Sequence, residues 1–248
     1  MHQIFKIRLN QVLVSLLPVL ILSTTSAADV HYEWLFSDAA GTSISKSVTS
    51  GTHKARWIGD FNDSATNGSG QFVVGRTPKS ESDAFFPLAS SVSESETFWV
   101  IVEVSGWEFN GKTASETMRV GLVDNAWHGR TPDTFAQIEL RRTDSEVVSV
   151  SGESFGSKAD PIGPLDLFTD NQTEPVTLAL RIEKSERAIS LFKKTGSEDF
   201  QLLGEGKTSP SREMNYMRLG FTGYFNAKNE HLSIDKVAFT TRSPMETP

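Results

Sequence analysis

Trp127-His128-Gly129-Arg130 sets an aromatic ring, an imidazole and a guanidinium side by side, between a run ending at Val123 and Thr131-Pro132. An exposed indole can stack on the apolar face of a sugar, while His and Arg can hydrogen-bond its hydroxyls or a carboxylate. Trp107, following Ser105-Gly106, is a second aromatic of this kind. Gly152-Glu153-Ser154-Phe155-Gly156 matches the pattern of a nucleophile elbow, which needs a strand before it and a helix after it. Here Ser157-Lys158-Ala159-Asp160-Pro161 follows, which is loop chemistry, so the match carries no nucleophile. The histidines show no metal-ligand spacing, and no glycine loop suited to phosphate is present. One acid stands out: Asp235 in Asn229-Glu230-His231-Leu232-Ser233-Ile234-Asp235-Lys236-Val237-Ala238-Phe239. Leu232 and Ile234 alternate as in a strand, the register slips by one residue at Asp235-Lys236, and alternation resumes at Val237 and Phe239.

The elements that must position these groups are strands. Period-2 alternation runs through Phe98, Val100, Val102 and Val104, and again through Met118, Val120 and Leu122. It recurs at Ala136-Ile138-Leu140, Val176-Leu178-Leu180-Ile182 and Met217-Leu219-Phe221. Shorter runs occupy 31–36, 71–75, 146–150, 188–192 and 199–204. Turn signals separate them, such as Asn67-Gly68, Asn110-Gly111 and Ser209-Pro210. Helical periodicity is nearly absent, so the pattern predicts an all-β, two-sheet antiparallel sandwich with no crossover helices. Residues 60–70 and 152–171 read as polar loops, and loop 60–70, with Asp60, Asn62 and Asp63, is a weak calcium candidate that does not match an EF-hand. The middle strands carry Arg119, Gln137, Glu139, Arg141, Arg181 and Arg218 opposite their apolar residues. If those strands are neighbours, their outer faces form one polar wall suited to a hydroxyl-rich or carboxylated ligand.

The first 28 residues have the layout of a secretory signal peptide: Lys6 and Arg8, an apolar run from Val12 to Leu22, then Ser26-Ala27-Ala28. The run is too short to span a bilayer. The expected organisation is signal peptide 1–28, one β-sandwich domain 29–242 and a flexible tail 243–248. Without Lys6 and Arg8, 22 Lys+Arg stand against 31 Asp+Glu, a net charge of −9. That surface repels nucleic acid and anionic lipid, so neither is an expected partner, and no membrane insertion is expected after cleavage. The absence of cysteine means that an exported protein of this kind is held by its core or by bound metal. It fits a bacterial secreted, periplasmic or envelope location.

Three stretches resemble the concanavalin A-like lectin/glucanase superfamily, in particular the laminin-G-like (LamG) jelly rolls of secreted bacterial proteins. They are His31-Tyr32-Glu33-Trp34-Leu35-Phe36 with its Asp38 to Gly41 turn, the hairpin 175–196, and 216–241 with its Ile-Asp-x-Val motif at Ile234, Asp235 and Val237. The resemblance implies a jelly roll whose first and last strands pair. It also implies a structural calcium held by Asp235, with Glu33 opposite it. In jelly-roll alginate lyases an Arg strand, Gln-Ile-His and Tyr-Phe-Lys-Ala occur in that order. Here Arg119, Gln137-Ile138-Glu139 and Tyr224-Phe225-Asn226-Ala227 follow the same order, with Glu139 in place of His. A lyase would use Arg119 and Gln137 to neutralise a uronate carboxylate, and Tyr224 with His128 to move protons in β-elimination. The Glu-x-Asp-x-x-Glu strand of glucanases of this fold is missing.

These readings converge on an exported, non-catalytic carbohydrate-binding or cell-surface-adhesion domain that takes a polysaccharide or glycan. Its expected ligand contacts are Trp107, Trp127, His128, Arg130 and Glu139. Two alternatives stand beside it. One is a polysaccharide lyase working through Arg119, Gln137, His128 and Tyr224; the other is a structural envelope protein with no small ligand.

Overall fold

The computed structural model describes residues 30–47, 49–51, 55–61, 64–74, 82–89, 96–108, 116–126, 134–142, 147–153, 159–169, 174–208, 214–222 and 231–245. Every strand pairing is antiparallel, and no α-helix occurs among the described residues. Two sheets face each other. The larger runs β13 (Gln201–Lys207), β12 (Ala188–Thr195), β11 (Val176–Glu183), β6 (Thr97–Glu108), β15 (His231–Thr240), β1 (His31–Trp34) and β2 (Ser50–Gly51). It also holds β4 (Phe72–Val74), which pairs with both β15 and β3 (Ala65–Thr66). The smaller sheet runs β10 (Ile162–Thr169), β9 (Val147–Glu153), β8 (Thr134–Arg142), β7 (Thr117–Val123), β14 (Tyr216–Thr222) and β5 (Ser82–Pro87).

The alternating apolar rows meet between the sheets. In the larger sheet Val104, Val102, Val100 and Phe98 of β6 stand opposite Val176, Leu178, Leu180 and Ile182 of β11. In the smaller sheet Met118, Val120 and Leu122 are flanked by Leu140, Ile138 and Ala136 on one side and by Phe221, Leu219 and Met217 on the other. All of these belong to one buried cluster. Each such aliphatic or aromatic side chain contributes roughly 1.5–3 kcal/mol on leaving water. Tyr32, Trp34, Trp57 and Phe86 add an aromatic nest, with Trp34 4.6 Å from Phe86 and 4.9 Å from Trp57.

The expected slip in the last strand is a β-bulge. The register of β15 against β6 shifts between Ser233 and Ile234, where Ser105 of β6 is skipped, and again between Ile234 and Lys236, where Asp235 is left unmatched. A one-residue bulge restores the side-chain parity that an odd step would invert. Leu232 and Ile234 before it, and Val237 and Phe239 after it, therefore all point into the core. The bulge also divides the other edge of β15. Leu232 to Ile234 pair with β4, while Val237 to Thr240 pair with β1.

Two loop readings need correction and one strand was missed: within 60–70, read as loop, Ala65–Thr66 forms β3. Residues 162–169, read as loop, form β10. Pro164 is accommodated because β10 is an edge strand, where a missing N–H interrupts no interior ladder, and its register is irregular there. Residues 82–87, which no sequence signal assigned, form β5, with Ala84 and Phe86 in the core and Asp83 on the other face.

Candidate ligand-binding site

The outer face of the smaller sheet is polar, and strand register orders its residues in rows. One row reads Asp83, Gly220, Arg119, Glu139, Ser151 across β5, β14, β7, β8 and β9. The row beside it reads Phe85, Arg218, Gly121, Gln137, Glu153. A third reads Thr222, Thr117, Arg141, Ser149, Asp166 across β14, β7, β8, β9 and β10.

Two ion pairs are built on this face. Arg119 and Glu139 are direct cross-strand neighbours, and Arg119 Nε donates to Glu139 Oε2 at 2.8 Å. Arg119 Nη1 also donates to Thr222 Oγ1 at 2.6 Å. Arg218 and Asp83 pair diagonally, Nε to Oδ1 at 2.7 Å. Gly220 makes the diagonal possible: a Cβ there would lie 2.2 Å from Asp83 Oδ1 and 3.0 Å from Arg218 Nε. Gly121 likewise leaves space that a side chain would fill, since its Cβ would come within 2.3 Å of Gln137 Cβ.

Exposure grades along the wall. Arg218 is fully buried and Gln137 nearly so. The Arg119 and Glu139 side chains retain 16% and 9% exposure. Thr222 is half-buried, and Arg141 and Asp166 are exposed. Water therefore reaches the wall at the Arg119–Glu139–Thr222 end. Charged pairs buried to this degree contribute little net stability, because desolvation offsets their attraction. They set fixed donors and acceptors on a sheet face, which makes that face a candidate binding surface.

The structure redistributes the expected site. Arg119, Gln137, Glu139 and Arg141 do share one face, as the alternation implied. Arg181 does not: β11 belongs to the larger sheet, where the guanidinium lies 6.0 Å over the Trp99 ring and bonds Glu183. Trp99, Ile101, Ala179 and Ala238 form a small apolar cluster there, packed by Phe192 and Phe200. Arg218, expected at a solvated surface, is buried against Asp83. Trp107, expected in a loop, lies within β6 opposite Leu232, in the sheet that does not carry Glu139. Trp127, His128, Arg130, Tyr224 and Ser154 lie outside the described residues. Asp83 and Thr222 were missed. Asp83 escaped because Ser82–Pro87 was not recognised as a strand, although Ala84 and Phe86 alternate there with Asp83 and Phe85.

The two carboxylates expected to hold calcium do not converge. Glu33 stands opposite Ala238, not Asp235, because β1 ends at Trp34 and β4 takes over the edge of β15. Lys236 Nζ sits on Glu33, so an ammonium occupies the place of a cation. Asp235 Oδ1 instead accepts a 3.0 Å hydrogen bond from Gln71 Nε2, which also donates to Ser105 Oγ at 2.7 Å. Among the described residues no three acids or histidines group as a metal site. Calcium needs about six to eight oxygens, so Glu33 and Asp235 do not fit it.

The arrangement of sheets defines the class of fold, an antiparallel jelly-roll sandwich of the concanavalin A-like type. Solved structures agree. Peanut lectin, crystallised with a nine-residue peptide, superposes with a TM-score of 0.50 at 9% identity over 86% of this chain and 97% of its own. Basic winged bean lectin, solved with the Tn antigen, gives a TM-score of 0.50 at 8% identity over 87% and 99%. No family model and no curated protein sequence matches the chain.

Proposed function

We propose that this chain is an exported, non-catalytic carbohydrate-binding domain whose contact surface is the outer face of the smaller sheet. The observation that carries the proposal is the hydrogen-bonded trio Thr222–Arg119–Glu139, which joins two neighbouring rows at the more accessible end of that face. It offers fixed donors and acceptors on rigid strands, the arrangement a polyhydroxylated ligand needs. The lectin-like fold is compatible with this reading, and the signal-peptide layout of residues 1–28 supports export. Lyase chemistry is the weaker reading, although Arg119 and Gln137 share the face. Arg119 is already neutralised by Glu139, so it is poorly placed to neutralise the carboxylate of a uronate.

The test is a glycan array probed with the chain lacking residues 1–28, beside an ultraviolet absorbance assay on uronate polymers. Binding that Arg119→Ala weakens at least tenfold, with no new absorbance, supports the proposal. Absence of binding to any glycan overturns it. A rising absorbance abolished by Tyr224→Phe replaces it with lyase activity.

A further inference from the structure

We infer that the ligand of this wall is an electrically neutral, hydroxyl-rich saccharide and not a uronate or sulfated polymer, an inference that rests on the carbohydrate-binding reading above. The argument begins with charge pairing. Arg119 donates to Glu139 at 2.8 Å and Arg218 donates to Asp83 at 2.7 Å, so each guanidinium has a carboxylate of its own. The exposed Arg141 and Asp166 lie on one row of the same face, separated by Ser149. Among the described residues, three arginines of this face thus stand beside Asp83, Glu139 and Asp166, with Glu153 at a fourth register position, so these rows hold no excess positive charge. The whole chain carries a formal charge of −7, so no long-range field draws in a polyanion.

The local consequence is stricter. A ligand carboxylate that took Arg119 would have to displace Glu139, leaving a carboxylate of 9% exposure without its cation. Unpairing a charge at such a site opposes binding strongly. A hydroxyl makes the opposite demand. It can accept from a guanidinium and donate to a carboxylate, so a diol uses both members of an intact pair. Thr222 Oγ1, held 2.6 Å from Arg119 Nη1, extends this alternation of donor and acceptor into the neighbouring row. The feature that excludes an acid therefore suits a neutral sugar.

The experiment compares matched polymers on the chain lacking residues 1–28: galactan against polygalacturonate, mannan against polymannuronate, and glucan against glucuronan, by calorimetry at low and high salt. The expected result is binding to at least one neutral polymer, at least tenfold tighter than to its uronate counterpart and nearly insensitive to salt. Glu139→Gln, which removes the carboxylate bonded to Arg119, should narrow that ratio at least fivefold. Equal or tighter uronate binding that falls steeply with salt overturns the inference while leaving the carbohydrate-binding reading intact. Binding to none of the six polymers, with a blank array, overturns both. If Glu139→Gln does not fold, the unsubstituted protein's preference between matched polymers still decides the question.

Discussion

Arg218 and Asp83 are bonded at 2.7 Å although neither stands opposite the other: Asp83 faces Gly220, and Arg218 faces Phe85. The carboxylate leans across the glycine to reach a guanidinium two residues along the neighbouring strand. Both side chains are buried, so removing one takes from the other a charged partner at 2.7 Å. Asp83→Ala is expected to cost about 3–5 kcal/mol. The double change Asp83→Leu with Arg218→Met is expected to recover most of that loss, because an apolar pair leaves no orphaned charge. Urea unfolding of the three variants measures this. A double variant no better than Asp83→Ala would mean that the further contacts of these residues dominate.

Gly220→Ala tests the same diagonal from the backbone. Its methyl would sit 2.2 Å from Asp83 Oδ1, so the carboxylate must move away from Arg218. The expected loss is about 3 kcal/mol, at the lower end of what breaking a buried pair costs. Combining it with Asp83→Ala should add far less than the two separate losses, since both act on one interaction. Thermal unfolding of the single and double variants gives the coupling directly.

The bulge in β15 permits a sharper test. Deleting Asp235 removes the residue that restores parity, so either Leu232 and Ile234 or Val237 and Phe239 must turn outward. Losing two such core side chains withdraws roughly 3–6 kcal/mol of burial, comparable to the whole stability of many domains. The deletion is expected to abolish cooperative unfolding in calorimetry. Asp235→Asn should leave it in place, because an amide oxygen can still accept from Gln71.

Metal dependence follows from Lys236 on Glu33 and Gln71 on Asp235. Neither EDTA nor millimolar calcium is expected to move the thermal midpoint through Glu33 and Asp235, so Glu33→Gln should leave any calcium response unchanged. Loss of a calcium-dependent rise in the midpoint in Glu33→Gln, measured by scanning calorimetry, would contradict this account.

Alkaline stability should depend on Tyr32. Burial pushes its phenol above the ordinary value of 10.0, and the hydrogen bond from the Ala89 N–H only partly offsets this. Above pH 10 the unfolded chain releases this proton while the native state keeps it. The contribution is therefore complete below the unfolded value and is lost as pH rises through the folded one. Tyr32→Phe keeps the ring packed on Phe86 and removes the ionisation. It is expected to cost about 1 kcal/mol at neutral pH and to flatten the fall in stability above pH 10. Denaturant midpoints from pH 8 to 11 check both effects.

The strands with strict alternation were legible because burying only one face imposes period 2. The slip at Asp235 was legible for the same reason: a break in parity with apolar residues on both sides needs a bulge. The edge strand 162–169 was not, because Gly163 and Pro164 mask its pattern and an edge needs fewer bonds. Alternation also says which residues share a face of their own strand, but not which sheet receives that strand. Arg181 and Arg119 look alike in sequence, yet strand order sends them to opposite sides of the molecule. The Asp83–Arg218 pair was hidden for a related reason, since lateral order alone brings together residues so far apart along the chain.

Two isolated bridges complete the sandwich at its flanks. Asp160 exchanges both backbone hydrogen bonds with Lys207 at the margin of β13, and Ile58 does the same with Phe85 at the margin of β5. Where these bridges sit, the outermost strands offer no ready template to an incoming chain. When copies of the chain crowd together, borders interrupted in this way favour solitary particles over fibrillar stacking.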